Sequence, residues 1–371
     1  MKKTIVITGT HLTPALAVIE ELQKTPQKWQ IYYLGRRYTM EGKSIPSPES
    51  KLLPTKKVTF INIPAGRLQR RFTVWTIPSL LRVPLGLFVS LYHLIKIKPD
   101  VLCSFGGYVS VPVIIAGKIL AIPSLTHEQT IVVGLANRIN GFLVNRVAIT
   151  FPQSQQFFPK KKTVLTGNPI RPEIFQSKKP LYRFAHRKPQ IYLTGGGQGA
   201  NSLNQAVWEV LPQLVDNYNL IHQCGGHDYP KLKKKYQSLS TAIKKSYFLV
   251  DYIDSESIGW AFNSDIVIGR SGANTVLEIA ALGKPAILIP LPKTAHDEQQ
   301  ANAQLLTQAG AGEIINQDNL SGPALLAAIN QMMTNHKQYR LQAQKLKQQT
   351  NIEANLSAAA NIVKQLQQLA L

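Results

Sequence analysis

The chain has 371 residues, 44% of them apolar, and a formal net charge of +22. That length accommodates about two domains with sizeable cores. The two cysteines, Cys103 and Cys224, lie far apart, which excludes a disulfide framework and reads as free thiols in a reducing compartment. The charge is uneven, with 22 basic and 6 acidic residues in 1–165 against 20 and 14 in 166–371, so the first half calls for nucleic acid, an anionic membrane surface or an anionic substrate.

The first element, "TIVITGTHLTPALAVIEEL" from residue 4, reads as a strand, a Thr-Gly turn and a helix. Its basic start imitates a signal peptide, but Thr8, Thr10, His11 and Thr13 interrupt the apolar region and no small-residue cleavage site follows. Residues 67–98 mix Arg67, Arg70, Arg71 and Arg82 with Phe72, Trp75, Leu80 and Leu81, which suits an interfacial membrane segment over 67–88. Much of 84–97 reads as a core helix with a solvated basic edge. No run of 18 apolar residues occurs, and the best candidate, 109–125, contains Lys118 and two prolines, so no membrane span is expected.

Two small-residue loops follow strands in the first half. "SFGGYVSVP" (104–112) follows "DVLC", and "THEQTIVVGLANR" (126–138) follows a strand ending near 125. His127 and Glu128 form either a base with an orienting carboxylate or a structural pair at a strand end. Residues 167–189, rich in proline and charge, read as an interdomain connection. A second sheet opens at "QIYLTGGGQGANSLNQ" from residue 190. Its glycine loop lets a backbone approach an anion at the following helix, yet it matches neither a dinucleotide fingerprint nor a P-loop.

"DIVIG" (265–269) reads as a buried strand, "NTVLEIAAL" (274–282) as a helix ended by Gly283, and "PAILIP" as the next strand. The intervening Ser271, Gly272 and Ala273 leave the helix N-terminus approachable by phosphate. Glu278, one turn inside, is placed to reach ribose hydroxyls; the alternative is a solvated helix residue, with Arg270 its surface ion-pair partner or a residue serving the loop's geometry. In "HDEQQANA" (296–303), Gln299 and Gln300 offer amides to sugar hydroxyls, or are solvated helix residues. The tail, 337–371, has a helical pattern.

Alternating strands and helices with two sheet openings predict an α/β chain of two Rossmann-like, doubly wound domains facing across a cleft. The expected boundaries are 1–166 and 167–371, with a helix over 340–371 packing back on the first domain.

"HLTPALAV", "FGGYVSVP", "HEQTIVVGLANR", "GNPIR", "GGGQGANSLNQ", "RSGANTVLEIAALGKP" and "DEQQANA" occur in one order over about residues 4–315. Together they resemble the MurG family of bacterial cell-wall N-acetylglucosaminyltransferases, in glycosyltransferase family 28. The resemblance implies a glycosyltransferase B fold that needs no cofactor or catalytic metal, and no Asp-x-Asp motif is present. It implies UDP-N-acetylglucosamine as donor, lipid I as acceptor, lipid II as product, and a peripheral place on the cytoplasmic face of the cell membrane. It assigns Glu278 to the uridine ribose, Ala273, Asn274 and Thr275 to diphosphate and ribose, and the Ile253 backbone to uracil. Arg171 falls to phosphate, Gly197 and Gln198 of the third loop to the donor, and Gln299 and Gln300 to the sugar. His11 becomes the candidate base, Glu128 the lesser candidate, and Thr10, Gly106, Gly107, Tyr108 and Thr130 the acceptor side.

Three departures stand out. The "TGTH" loop is short, Gly197 replaces a serine, and Thr130 replaces an asparagine. A related lipid glycosyltransferase acting on diacylglycerol is therefore the first alternative. A UDP-N-acetylglucosamine 2-epimerase is the second, and it leaves 67–88 unexplained. A nucleic-acid-binding protein, suggested by charge alone, lacks an aromatic stacking module.

Overall fold

The computed structural model describes residues 2–38, 46–64, 66, 76–176, 179–196, 199–292, 297–349 and 355–371. Seven strands form the first sheet: β1 (Lys3–Gly9), β2 (Trp29–Gly35), β3 (Thr59–Asn62), β4 (Val101–Phe105), β5 (Ser124–Glu128), β6 (Arg146–Ile149) and β7 (Thr163–Leu165). Six form the second: β8 (Gln190–Thr194), β9 (Asn219–Gln223), β10 (Tyr247–Val250), β11 (Ile266–Gly269), β12 (Ala286–Leu288) and β13 (Gly312–Ile314). The orders are β3-β2-β1-β4-β5-β6-β7 and β10-β9-β8-β11-β12-β13. Every strand pair is parallel.

Short, continuously apolar strands are what a parallel sheet covered on both faces demands. In the first sheet Ile5, Ile7, Val101, Cys103 and Phe105 join the core on one face, while Val6 and Leu102 join the core on the other. Alternation along the strand supplies both cores at once. The two cysteines are free and buried. In each sheet the order reverses beside the opening strand, at β1/β4 and at β8/β11. Ligands of such sheets bind outside the strand C-termini at the reversal, so the topology alone marks two places to look.

The chain divides into two compact units, Met1–Ile170 with Glu353–Leu371, and Arg171–Ile352. The division falls after Ile170 rather than at 166/167. Gly167 remains with the first unit because its N–H donates to the Ile149 carbonyl and its own carbonyl accepts from His127 Nε2. The tail is shared out rather than forming one helix. Helix His336–Gln349 lies in the second unit, and helix Ala358–Leu369 covers the first sheet with Ile362, Val363 and Leu366. Three such side chains remove apolar surface worth roughly 1.5–3 kcal/mol each.

Helix Thr76–Ile97 differs from the core helix expected over 84–97. Ser90 and Leu94 face inward, but Leu85, Phe88, Tyr92 and Ile95 are 50–67% exposed. Spaced three, four and three residues apart, they form one outward apolar stripe. Arg67, Arg70, Arg71, Phe72 and Trp75 lie outside the described residues, as do the side chains of Leu80 and Leu81. No helix among the described residues is long and apolar enough to cross a membrane.

Candidate functional site

The β8/β11 reversal belongs to the second unit. Strand β11 ends at Gly269, and Arg270, Ser271 and Gly272 lead into helix Ala273–Leu282, which starts without a side-chain cap. The first N–H groups of a helix lack intrahelical partners and favour an anion. Gly272 has an ordinary φ of −64°, and an added Cβ there would meet nothing within 4 Å. Among the described residues, neither backbone conformation nor packing requires glycine at this position. Glycine is at home at a helix N-cap, and here it also leaves the helix start uncovered by any side chain of its own.

Glu278 is 2% exposed, so it is not a solvated helix residue. Its two oxygens accept from Arg171 Nε at 2.8 Å and Nη2 at 2.9 Å. The sequence reading assigned these residues to phosphate and ribose separately; the fold joins them in one bidentate pair. Burial acts to lower the Arg171 pKa, but the Glu278 charge and hydrogen bonds outweigh it and raise it. The fork occupies one lone pair on each carboxylate oxygen. One lone pair per oxygen remains to accept hydroxyl groups, so the carboxylate can be held by Arg171 and still grip a diol.

Arg270 is no ion-pair partner of Glu278. It donates to the Ile289 carbonyl (3.1 Å), Ser202 Oγ (3.1 Å) and Gln317 Oε1 (2.6 Å), tying the end of β12 to the start of helix Asn201–Glu209 and to the turn Gln317–Asn319, and burial lowers its pKa. Ile253 is fully buried, and its N–H donates to Gln223 Oε1 at 3.3 Å. Gln223 also accepts from Tyr192 Oη, and sequence reasoning missed it; its only signal was its place at the end of β9. The two glutamines part company. Gln299 Oε1 accepts from the Leu291 N–H at 2.9 Å, while Gln300 lines a cavity of about 360 Å³ with Asp297, Asn316 and Asn319. Ala273 is buried, and Asn274 and Thr275 are half-buried at the helix start. Gly197 and Gln198 lie outside the described residues.

The β1/β4 reversal belongs to the first unit. The Thr10 N–H donates to the Gly106 carbonyl at 3.0 Å. Gly107, at φ +79°, admits Thr10 so closely that a Cβ would lie 2.1 Å from its Oγ1. His11 is half-buried just before helix Leu12–Lys24, and burial together with the Arg36 guanidinium lowers its pKa to about 4. Arg36 reaches Glu49 at 3.2 Å and the Tyr108 hydroxyl at 3.4 Å. Arg36 and Glu49 carried no motif in the sequence, and only the fold brings them to this site.

His127 Nε2 lies 3.1 Å from the Gly167 carbonyl, which can only accept, so Nε2 carries the proton. Burial lowers its pKa to about 4, the Gly167 bond opposes this, and His11 adds to it. Both imidazoles are therefore neutral near pH 7. His127 and Glu128 do not form a base-carboxylate dyad, because adjacent residues of β5 point to opposite sides. Glu128 instead accepts from Thr130 N (2.9 Å) and Asn137 Nδ2 (3.0 Å) and contacts Thr130 Oγ1 at 2.7 Å. Burial raises its pKa. No cluster of His, Cys, Asp or Glu that could hold a metal occurs among the described residues.

The glycosyltransferase family 28 N-terminal domain matches residues 4–149, and the family's C-terminal domain matches residues 190–366. A UDP-N-acetylglucosamine–N-acetylmuramyl-(pentapeptide) pyrophosphoryl-undecaprenol N-acetylglucosamine transferase of Thermodesulfovibrio yellowstonii is 35% identical, over 88% of this chain and 87% of its own. A Lachnospira eligens protein of the same name is 32% identical, over 95% and 97%. The crystal structure of Acinetobacter baumannii MurG shares 26% identity, covers 99% of both chains and superposes with a TM-score of 0.67. The chain belongs to glycosyltransferase family 28.

Proposed function

We propose that this chain moves N-acetylglucosamine from UDP-N-acetylglucosamine to the muramyl 4-hydroxyl of lipid I, giving lipid II with an inverted, β1–4 linkage. The observation that carries this reading is the Arg171–Glu278 fork beside an uncapped helix start with an open Gly272, in a chain whose 35%-identical relative bears that activity in its name. In the second unit, the helix start takes the diphosphate and Glu278 takes the ribose diol. Ile253, Gln299 and Gln300 address the base and sugar.

Chemistry needs a base at the acceptor hydroxyl. His11, neutral at pH 7, accepts the hydroxyl proton as the oxygen attacks C1 of the sugar. The C1–O bond to phosphate breaks on the opposite face, and UDP leaves carrying the electron pair. A lost base typically costs 10²–10⁴-fold, so His11→Ala lowers turnover roughly 100-fold or more while sparing UDP binding. Turnover within a few-fold of wild type moves the role to His127.

The acceptor's lipid tail brings the enzyme to an anionic bilayer. The +16 half supplies about 1 kcal/mol per basic residue near the surface, and the Leu85, Phe88, Tyr92 and Ile95 stripe adds apolar burial. Wild type floats with anionic vesicles at low salt, and a Phe88→Ser, Ile95→Ser variant that still binds UDP loses most of that binding. Undiminished flotation of the variant places the membrane face elsewhere.

The deciding assay supplies labelled UDP-N-acetylglucosamine with lipid I in detergent. Labelled lipid II is expected. Transfer to diacylglycerol alone, or conversion of the donor to its 2-epimer without acceptor, selects one of the alternatives instead.

A further inference from the structure

Charge is sorted within the second unit. Residues 171–352 hold 19 basic and 13 acidic side chains. Eleven of the basic ones fall in 178–188 and 229–250, two stretches without an acidic residue. The rest of the unit is therefore net acidic, with 8 basic residues against 13 acidic ones.

The fold gathers both stretches at β10, the edge strand of the second sheet. Tyr182 Oη donates to the Lys244 carbonyl at 2.7 Å and the Ala185 N–H to the Lys245 carbonyl at 3.4 Å, while the Tyr182 ring stacks on Phe248. Lys244 Nζ donates to the Gln237 carbonyl at 2.8 Å, which joins the end of helix Tyr229–Gln237 to the same surface. Arg187 and Lys188 precede β8, and Lys244 and Lys245 precede β10, so the charge collects at strand N-termini. The proposed donor site uses the opposite ends of these strands, and there Asp228, Asp251 and Asp254 follow β9 and β10.

Lys188 and Lys244 are half-buried and donate to carbonyls. The four lysines of helix Tyr229–Gln237, with Arg183, Arg187 and Lys245, are exposed. Among the described residues no ion pair joins a basic side chain of either stretch to a carboxylate. The helix dipole accounts for Lys234 and Lys235 in the last turn. It works against Lys231 in the first turn, and Lys231, Lys234 and Lys235 stand at i, i+3 and i+4, where like charges repel. A polyanion relieves that repulsion.

Nine of the eleven are lysines, compact point charges rather than forks matched to one carboxylate or phosphate. Without interspersed acids, nothing sets a register with a folded partner. Rings that could stack on a nucleobase already carry a lysine: Lys233 lies 5.5 Å from the Tyr229 ring, Lys235 5.4 Å from Trp208 and Lys244 5.8 Å from Tyr236. Diffuse positive charge, with exposed Leu181 and half-buried Tyr182 and Phe184 interleaved with Arg183, suits the headgroup layer of an anionic bilayer.

We propose that this corner of the second unit docks on an anionic phospholipid bilayer, chiefly by charge, as a contact separate from the apolar stripe on helix Thr76–Ile97. The need for a bilayer rests on the proposed lipid acceptor, and the patch brings the donor-binding unit into the same encounter.

The test floats the full chain with vesicles of phosphatidylglycerol and phosphatidylcholine, and with phosphatidylcholine alone, across a salt series. The triple variant Lys231→Gln, Lys234→Gln, Lys245→Gln removes three exposed charges that lie outside the proposed donor and acceptor sites. It should partition roughly 100-fold more weakly onto the anionic vesicles at low salt, match wild type on phosphatidylcholine, and bind UDP as wild type does. Undiminished partition onto anionic vesicles overturns the inference. The proposed function then still stands if Phe88→Ser, Ile95→Ser loses binding in the same experiment, whereas wild type that ignores anionic vesicles overturns the membrane reading and the patch together. Wild type that prefers duplex DNA to the vesicles at equal phosphate concentration, with that preference lost in the triple variant, gives the patch to nucleic acid and likewise overturns the inference.

Discussion

The two sheet reversals are built on one topology and furnished in opposite ways. At β8/β11 the chain places a charged fork, Arg171 on Glu278, in the helix whose N-cap glycine meets nothing within 4 Å among the described residues. At β1/β4 the glycine is filled from within, Gly107 by Thr10, and the ionisable groups are neutral imidazoles and a buried carboxyl group. An open cradle with fixed charge suits binding of an anionic nucleotide. The groups at the first reversal pack against one another, and burial shifts each of them towards its neutral form. The proposed function uses that difference, with donor binding at the second reversal and chemistry at the first.

Acid acts on both regions and produces the largest effect. His127 in the first unit and His222 in the second, buried and hydrogen-bonded to Tyr247 and Asn204, are each lowered from 6.5 to about 4. Between those values the unfolded chain binds more protons than the folded one, so stability is full above pH 6.5 and falls as pH drops towards 4. Each histidine contributes on the order of 2–3 kcal/mol to that loss. Urea midpoints measured across this window should fall steadily on the acid side, and a flat profile would show that neither imidazole is held neutral by the fold.

Arg171→Ala separates the regions. It leaves Glu278 buried without its cation, and the second unit should lose about 2–4 kcal/mol, somewhat below a fully buried pair because Arg171 is 28% exposed. Combining it with Glu278→Gln should recover part of the loss. Calorimetric unfolding that shows no change, or no recovery, means that the pair is not a structural unit. Gly272→Ala is the smaller, sharper probe. Its φ of −64° and open surroundings predict stability within about 0.5 kcal/mol of wild type, while a methyl group in the ligand's path should weaken donor binding several-fold. Unchanged UDP affinity in that variant would remove the ligand explanation for the glycine.

Much of this was legible in the chain itself. The β-branched runs opening at residues 4 and 190, each followed by small residues, were enough for two parallel sheets, because a strand with both faces covered must be continuously apolar. Glu278 was legible as one carboxylate in an apolar helix. Its pairing with Arg171, 107 positions away, was not, since nothing local in "GNPIR" signals a partner in another helix. The same holds for Arg36 and Tyr108, 72 positions apart. Sequence adjacency left two readings of His127 and Glu128 open, and the alternation of a strand, which puts their side chains on opposite faces, decides for the structural one. The outward stripe on helix Thr76–Ile97 was hidden for the converse reason: helical spacing marks a face as apolar without saying whether anything covers it.

The proposed function has Glu278 in the second unit grip the donor and His11 in the first unit take the acceptor proton. Calorimetric titration of UDP-N-acetylglucosamine into wild type, Glu278→Ala and His11→Ala tests it most directly. A hydrogen bond to a charged group contributes about 1.5–3 kcal/mol, so Glu278→Ala should bind roughly 10- to 150-fold more weakly. His11→Ala should bind as wild type does. Equal affinity in Glu278→Ala, or a comparable loss in His11→Ala, would contradict the division of labour between the two units.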